Sequence, residues 1–157
     1  MRLFLIICFF FSSYALSAQV KLISVDDLNN RIANGKDTTY VVNFWATWCA
    51  PCVAELPNFE KLRLANVNKP VKVLLVSLDF KSKLQKTVIP FVAKNPINAD
   101  VFLLDTKDRQ VDIQRISKQW SGAIPATLFV RKQNRIFFEK EFTEEELKDA
   151  FLKITKN

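Results

Sequence analysis

The run from Thr38 to Trp45, TTYVVNFW, holds β-branched and aromatic residues and no charge, and a Cys-x-x-Cys pair, Cys49 and Cys52, follows it closely. A strand of this composition is buried on both faces, which requires helices on either side of a sheet and points to an α/β architecture. It also delivers the cysteines to the start of a helix, because Val53, Leu56, Phe59 and Leu62 recur at helical spacing between Ala50 and Ala65. A helix N-terminus presents unpaired N–H groups and the positive end of its dipole, so a thiolate is stabilised there. Cys49 is therefore expected to be the nucleophile. Cys52, one turn further, is placed to attack the mixed disulfide that Cys49 forms and to release the partner.

The rest of the composition removes competing chemistries. There is no histidine, so Ser/His and Cys/His pairs and His-containing zinc or copper sites are absent. Gly35 and Gly122 are the only glycines, too few for a phosphate-cradling loop. CAPC supplies half of a four-cysteine zinc site and nothing completes it within one chain, so no metal is expected. No cofactor is expected beyond the Cys49–Cys52 disulfide itself.

Met1 and Arg2 precede an uninterrupted apolar run from Leu3 to Phe11, and Ser12, Ser13, Ala15, Ser17 and Ala18 follow. This is the pattern of a secretory signal peptide over residues 1–18, cleaved near 17/18, with a retained anchor as the alternative. Cys8 lies inside that leader. The remaining 19–157 suit one domain with one core. The formal charge of +7 is spread as lysines along the whole chain, which reads as a solvated exterior. Aromatic and basic residues do not interleave, so no nucleic acid partner is expected.

Val20 to Ile23 reads as a short strand, and Ser24 with Asp27 caps a helix that runs through Asn34 and ends at Gly35. Pro57 inside the dithiol helix predicts a kink near Val53. Val71 to Leu78 is a second continuous apolar strand, Ser82 to Lys94 a helix interrupted by Pro90, and Val101 to Leu104 a brief strand. One helix leading into a loop is expected between Asp105 and Trp120. Ala126 to Arg131 and Arg135 to Glu141 form a hairpin around Gln133 and Asn134, and Thr143 with Glu146 boxes the start of a last helix.

This order of elements, with FWATWCAPC at the exit of the second strand and AIPATLFV before the hairpin, resembles the thioredoxin fold, a central mixed β-sheet flanked by helices on both faces. More narrowly it is similar to the exported TlpA/ResA-like thioredoxins of the bacterial envelope. The resemblance implies that Cys49 is the exposed attacking thiol and Cys52 the buried resolving one. It further implies that Pro125 is a cis-proline beside the dithiol and that Ile124 offers backbone hydrogen bonds to an extended substrate. In cytosolic-type thioredoxins a buried aspartate stands six residues before the first cysteine; here that position is Asn43, which cannot titrate. Glu55, in CVAELP, matches a glutamate of the envelope family and can accept the Cys52 proton; a solvated surface glutamate is the alternative. Trp45 is expected in the core, and Trp48 and Pro51 in the docking surface. FEKEFTEEE stands where the family often has a glycine, so the edge near Phe142 is expected to differ.

The resulting expectation is an exported thiol-disulfide oxidoreductase in the periplasm or on the outside face of the cytoplasmic membrane of a bacterium. It acts as a monomer on disulfide-bearing envelope proteins, and the resemblance favours reduction, with electrons from a membrane donor. A thiol peroxidase and a non-catalytic binding or chaperone module are the rivals. The peroxidase wants a threonine three residues before the attacking cysteine, and Thr47 is two before Cys49.

Overall fold

A computed structural model describes residues 20–156, and the expected leader lies outside the described residues. Six strands form one sheet: β1 (Lys21–Ile23), β2 (Thr39–Trp45), β3 (Val71–Ser77), β4 (Asp100–Leu104), β5 (Ala126–Arg131) and β6 (Asn134–Phe138). Their spatial order is β1-β4-β3-β2-β5-β6, with the first four mutually parallel, β5 antiparallel to β2, and β6 antiparallel to β5. The sheet is mixed, and the whole arrangement is a thioredoxin fold.

Every residue of β2 is buried, as its composition requires, and successive side chains supply two different cores. Val41 and Trp45 join α2 (Ala50–Leu64) and α5 (Glu144–Lys156) through Leu56, Phe59, Leu147 and Ile154. Tyr40, Val42 and Phe44 face the other way, onto α1 (Val25–Ala33) and α4 (Arg109–Ile116) through Leu28, Ile32, Ile113 and Ile116. β2 is thus the spine on which both helix layers rest, and its register places Trp45 beside Ser77 and Phe44 beside Ala126. The ends of β2 and β3 and the start of β5, which build the site, therefore lie together.

The helix caps form as the sequence predicts. Ser24 and Asp27 make a reciprocal box, as do Thr143 and Glu146. Other details differ. The left-handed residue after α1 is Lys36 (φ 42°), not Gly35. Gly35 is required by packing instead, since a Cβ there would overlap the Tyr40 ring, whose hydroxyl donates to Arg31 O at 3.0 Å. The stretch Ser82 to Lys94, expected as a helix interrupted by Pro90, is a 3₁₀ turn (Lys81–Lys83), a wide π turn (Leu84–Val88) and then α3 (Ile89–Lys94). Pro90 has no N–H to give the preceding turn, and it sits in the first turn of α3, where none is needed. The hairpin turns on Lys132 and Gln133, with Lys132 at φ 54°, and β6 stops at Phe138 rather than Glu141. Pro57 lies within α2, which runs continuously from Ala50 to Leu64.

Candidate active site

Cys49 is the N-cap of α2, in extended backbone, and its Sγ accepts from the Cys52 N–H at 3.3 Å. That donor and the helix dipole both favour negative charge on the Cys49 sulfur. The two cysteines are joined as a disulfide, with Cα atoms 5.3 Å apart. Cys49 is 6% exposed and Cys52 0%. The expectation of an openly exposed attacking thiol is corrected in degree: only a small window reaches Cys49, because the Ile124 carbonyl stands 3.8 Å from its sulfur. Cys52 is sealed beneath it. With limiting alkylating reagent, the reduced protein is expected to label at Cys49 at least ~10 times faster than at Cys52; preferential labelling of Cys52, read by peptide mass mapping, would reverse the assigned roles.

The Ile124–Pro125 bond is cis. Pro125 is buried and Ile124 half-buried, at the β5 end that lies against Phe44. Trp48 (64% exposed) and Pro51 flank the dithiol at the surface, whereas Trp45 is fully buried.

The loop between β2 and the dithiol is held by a residue that sequence reasoning missed. Asp79 accepts from the Thr47 N–H at 2.9 Å and from the Thr47 hydroxyl at 2.7 Å, and the Ser77 hydroxyl steadies it at 2.8 Å. Asp79 is 3% exposed, so these bonds are shielded from water. The one available signal was an acid directly after an apolar strand, in VSLD.

Glu55 lies one turn beyond Cys52 on α2, in the interior. It is 1% exposed, which overturns the solvated-surface alternative. Asn43 Nδ2 donates to Oε1 and the Phe142 N–H to Oε2, both at 2.7 Å. Burial pushes the carboxyl up to about 7, against the lowering pull of those two donors and with a further push from the Glu141 charge. Asn43 also donates to Thr127 at 3.2 Å, and its Oδ1 has no partner. The edge near Phe142, where the sequence departs from the family pattern, is folded inward so that its backbone closes over Glu55. Among the described residues no three Cys, Asp or Glu side chains converge as metal ligands.

Comparison with known proteins agrees with this geometry. The chain is 29% identical over 120 residues to the thiol-disulfide oxidoreductase ResA of Oceanobacillus iheyensis, covering 75% of this chain and 58% of that protein. It is 28% identical over 111 residues to the sporulation thiol-disulfide oxidoreductase A of Bacillus subtilis, covering 69% and 64%. The chain thus spans about three fifths of the length of these curated relatives. Among solved structures, a secreted disulfide oxidoreductase of Mycobacterium tuberculosis superposes with a TM-score of 0.57 at 22% identity, covering 77% of this chain and 85% of that one. Residues 15–138 match the AhpC/TSA family. That match runs from before β1 to the last residue of β6 and takes in both the dithiol and the Ile124–Pro125 bond, so the chain belongs to the AhpC/TSA family.

Proposed function

We propose that the protein is an exported thiol-disulfide oxidoreductase that reduces disulfides in other envelope proteins. The observation that carries this reading is a Cys49–Cys52 disulfide capping α2 beside cis-Pro125, with Cys49 slightly exposed and Cys52 fully buried. In the reduced protein the Cys49 thiolate attacks a substrate disulfide; a Cys49–substrate bond forms and the other substrate sulfur leaves as thiolate. Cys52 then attacks the Cys49 sulfur, closing the internal disulfide and releasing the second substrate sulfur, so two electrons pass to the substrate. Glu55, titrating near 7 one turn away, takes the Cys52 proton. Trp48, Pro51 and the Ile124 backbone hold the extended substrate. The names of the curated relatives and the secreted character of the mycobacterial structure support export and exchange chemistry. A membrane donor that re-reduces the pair, and a monomeric state, complete the proposal.

Peroxidase chemistry fits less well, because the Thr47 hydroxyl is committed to Asp79 and is one residue out of place for activating a peroxide at Cys49. The purified protein is expected to precipitate reduced insulin chains in the presence of dithiothreitol well above background, with a dithiol potential of about −200 to −270 mV. No acceleration would refute the exchange reading, and a potential close to about −120 mV would refute its reducing direction.

A further inference from the structure

The parallel strands β2, β3 and β4 all begin at the end of the sheet opposite the dithiol, and β5 ends there, with Arg131 paired to Thr39. β2 spans seven residues, so this far pole lies roughly 20 Å from the dithiol. The chain visits it in residues 31–38, 63–72, 94–100, 131–135 and 153–156. Those segments contain eleven lysines and arginines and two carboxylates, Asp37 and Asp100, while Glu60, from outside them, pairs with Arg63 and accepts from the Asn98 and Ala99 N–H groups. The other described residues hold eleven cations and fourteen carboxylates. The surplus positive charge of the folded domain is therefore gathered at one end.

Helix ends explain part of this, since cations in the last turns of α1, α2, α3 and α5 complement the helix dipoles. They do not explain Lys36, Lys69, Lys72, Arg131, Lys132 and Arg135, which lie on loops and strand ends, and of these only Lys132 has an ion-pair partner among the described residues. In the same region Leu64 and Val67, at the end of α2 and in the turn after it, are 59% and 67% exposed.

We propose that this pole rests on an anionic phospholipid surface, with Leu64 and Val67 entering the headgroup layer and the dithiol directed away from the membrane. The inference goes beyond the exchange reading and does not depend on it. A lipid surface suits the pole better than a folded acidic partner because the cations come from five separate segments and make no single shaped pocket. Fluid headgroups can meet each of them, and two projecting apolar side chains need an acyl boundary to enter.

The test uses residues 19–157, which contain both hydrophobic cores, with each variant's melting transition checked against the parent. The protein is expected to co-sediment with phosphatidylglycerol-containing vesicles and not with pure phosphatidylcholine, and to be released by salt. A lysine near such a surface contributes about fivefold to binding, so K36Q/K69Q/K132Q should weaken it on the order of a hundredfold. The control K81Q/K107Q/R109Q, removing equal charge near the other pole, should change it less than about twofold, and L64S/V67S should weaken it without altering its salt dependence. Equal losses from the two charge triples, or no binding to the anionic vesicles, would overturn the proposal. So would retention on polyglutamate with none on vesicles, which would assign the pole to acidic protein. Insulin reduction should be unchanged in all these variants, which separates this proposal from the exchange reading.

Discussion

Cys49→Ala is expected to bring insulin reduction down to the uncatalysed background, a loss of roughly a thousandfold or more, while Cys52→Ala accumulates a stable mixed disulfide with the substrate. The asymmetry follows from burial. Without Cys49 the remaining sulfur is 0% exposed beneath the α2 N-terminus, so no substrate disulfide can align with it. Without Cys52 the first attack proceeds, because its determinants are the helix N-terminus and the Cys52 backbone N–H, and alanine keeps both. No second thiol then lies near to release the adduct, the third cysteine being Cys8 in the expected leader. Nonreducing electrophoresis with peptide mapping reads the outcome. An adduct on Cys52 in the Cys49→Ala protein, or undiminished turnover by either variant, would overturn the two-step scheme. The Cys52→Ala adducts formed in the native envelope would name the partners.

The second large effect concerns Glu55 and has a definite sign. Its carboxyl titrates at about 7 in the folded protein against an ordinary value of 4.5, so between those limits the folded state holds a proton that the unfolded state has lost. Its contribution to stability is complete below pH ~4.5 and lost as pH rises through ~7, by up to ~3 kcal/mol. Glu146 acts in the opposite sense and elsewhere: held at about 2 by Lys140 and the Thr143 N–H, it contributes above pH ~4.5 and is lost in strong acid. In Glu55→Gln the loss of stability between pH 5 and pH 8.5 is expected to disappear. The new amide is tolerable because Asn43 can turn its unpartnered Oδ1 toward it. Urea midpoints on the oxidised protein, whose cysteines do not titrate, isolate the effect; parallel pH profiles for wild type and variant would show that Glu55 does not titrate in this range.

The same substitution is expected to slow the resolving step by roughly tenfold, with transient mixed disulfide, while leaving the first attack intact. Stopped-flow reduction of a model disulfide across pH separates the steps. Equal rates and profiles would make Glu55 a bystander.

Much of this protein is legible locally. An uncharged β-branched run specifies a strand buried on both faces, Ser24 with Asp27 and Thr143 with Glu146 specify helix starts, and a Cys-x-x-Cys at a strand exit specifies a dithiol on a helix N-terminus. Each of these signals spans only a few residues, within reach of one turn or one strand, so backbone geometry and capping chemistry are enough to read them. The composite stretch from Lys81 to Lys94 was not legible, because proline marks a break without saying whether the preceding turn tightens or widens.

Only the tertiary structure decided what depends on distant segments meeting. Glu55 on a helix is an ordinary surface residue until Asn43, twelve residues away, and the Phe142 backbone, eighty-seven away, enclose it; that enclosure removes water and moves its titration to neutrality. Asp79 becomes the anchor of the dithiol loop only because β3 lies beside β2 in the register that brings Thr47 to it. The lysines likewise look evenly strewn along the chain. Parallel strands and returning helices bring five stretches rich in them to the same end of the sheet, so a charge that is diffuse in the sequence is polar in the fold.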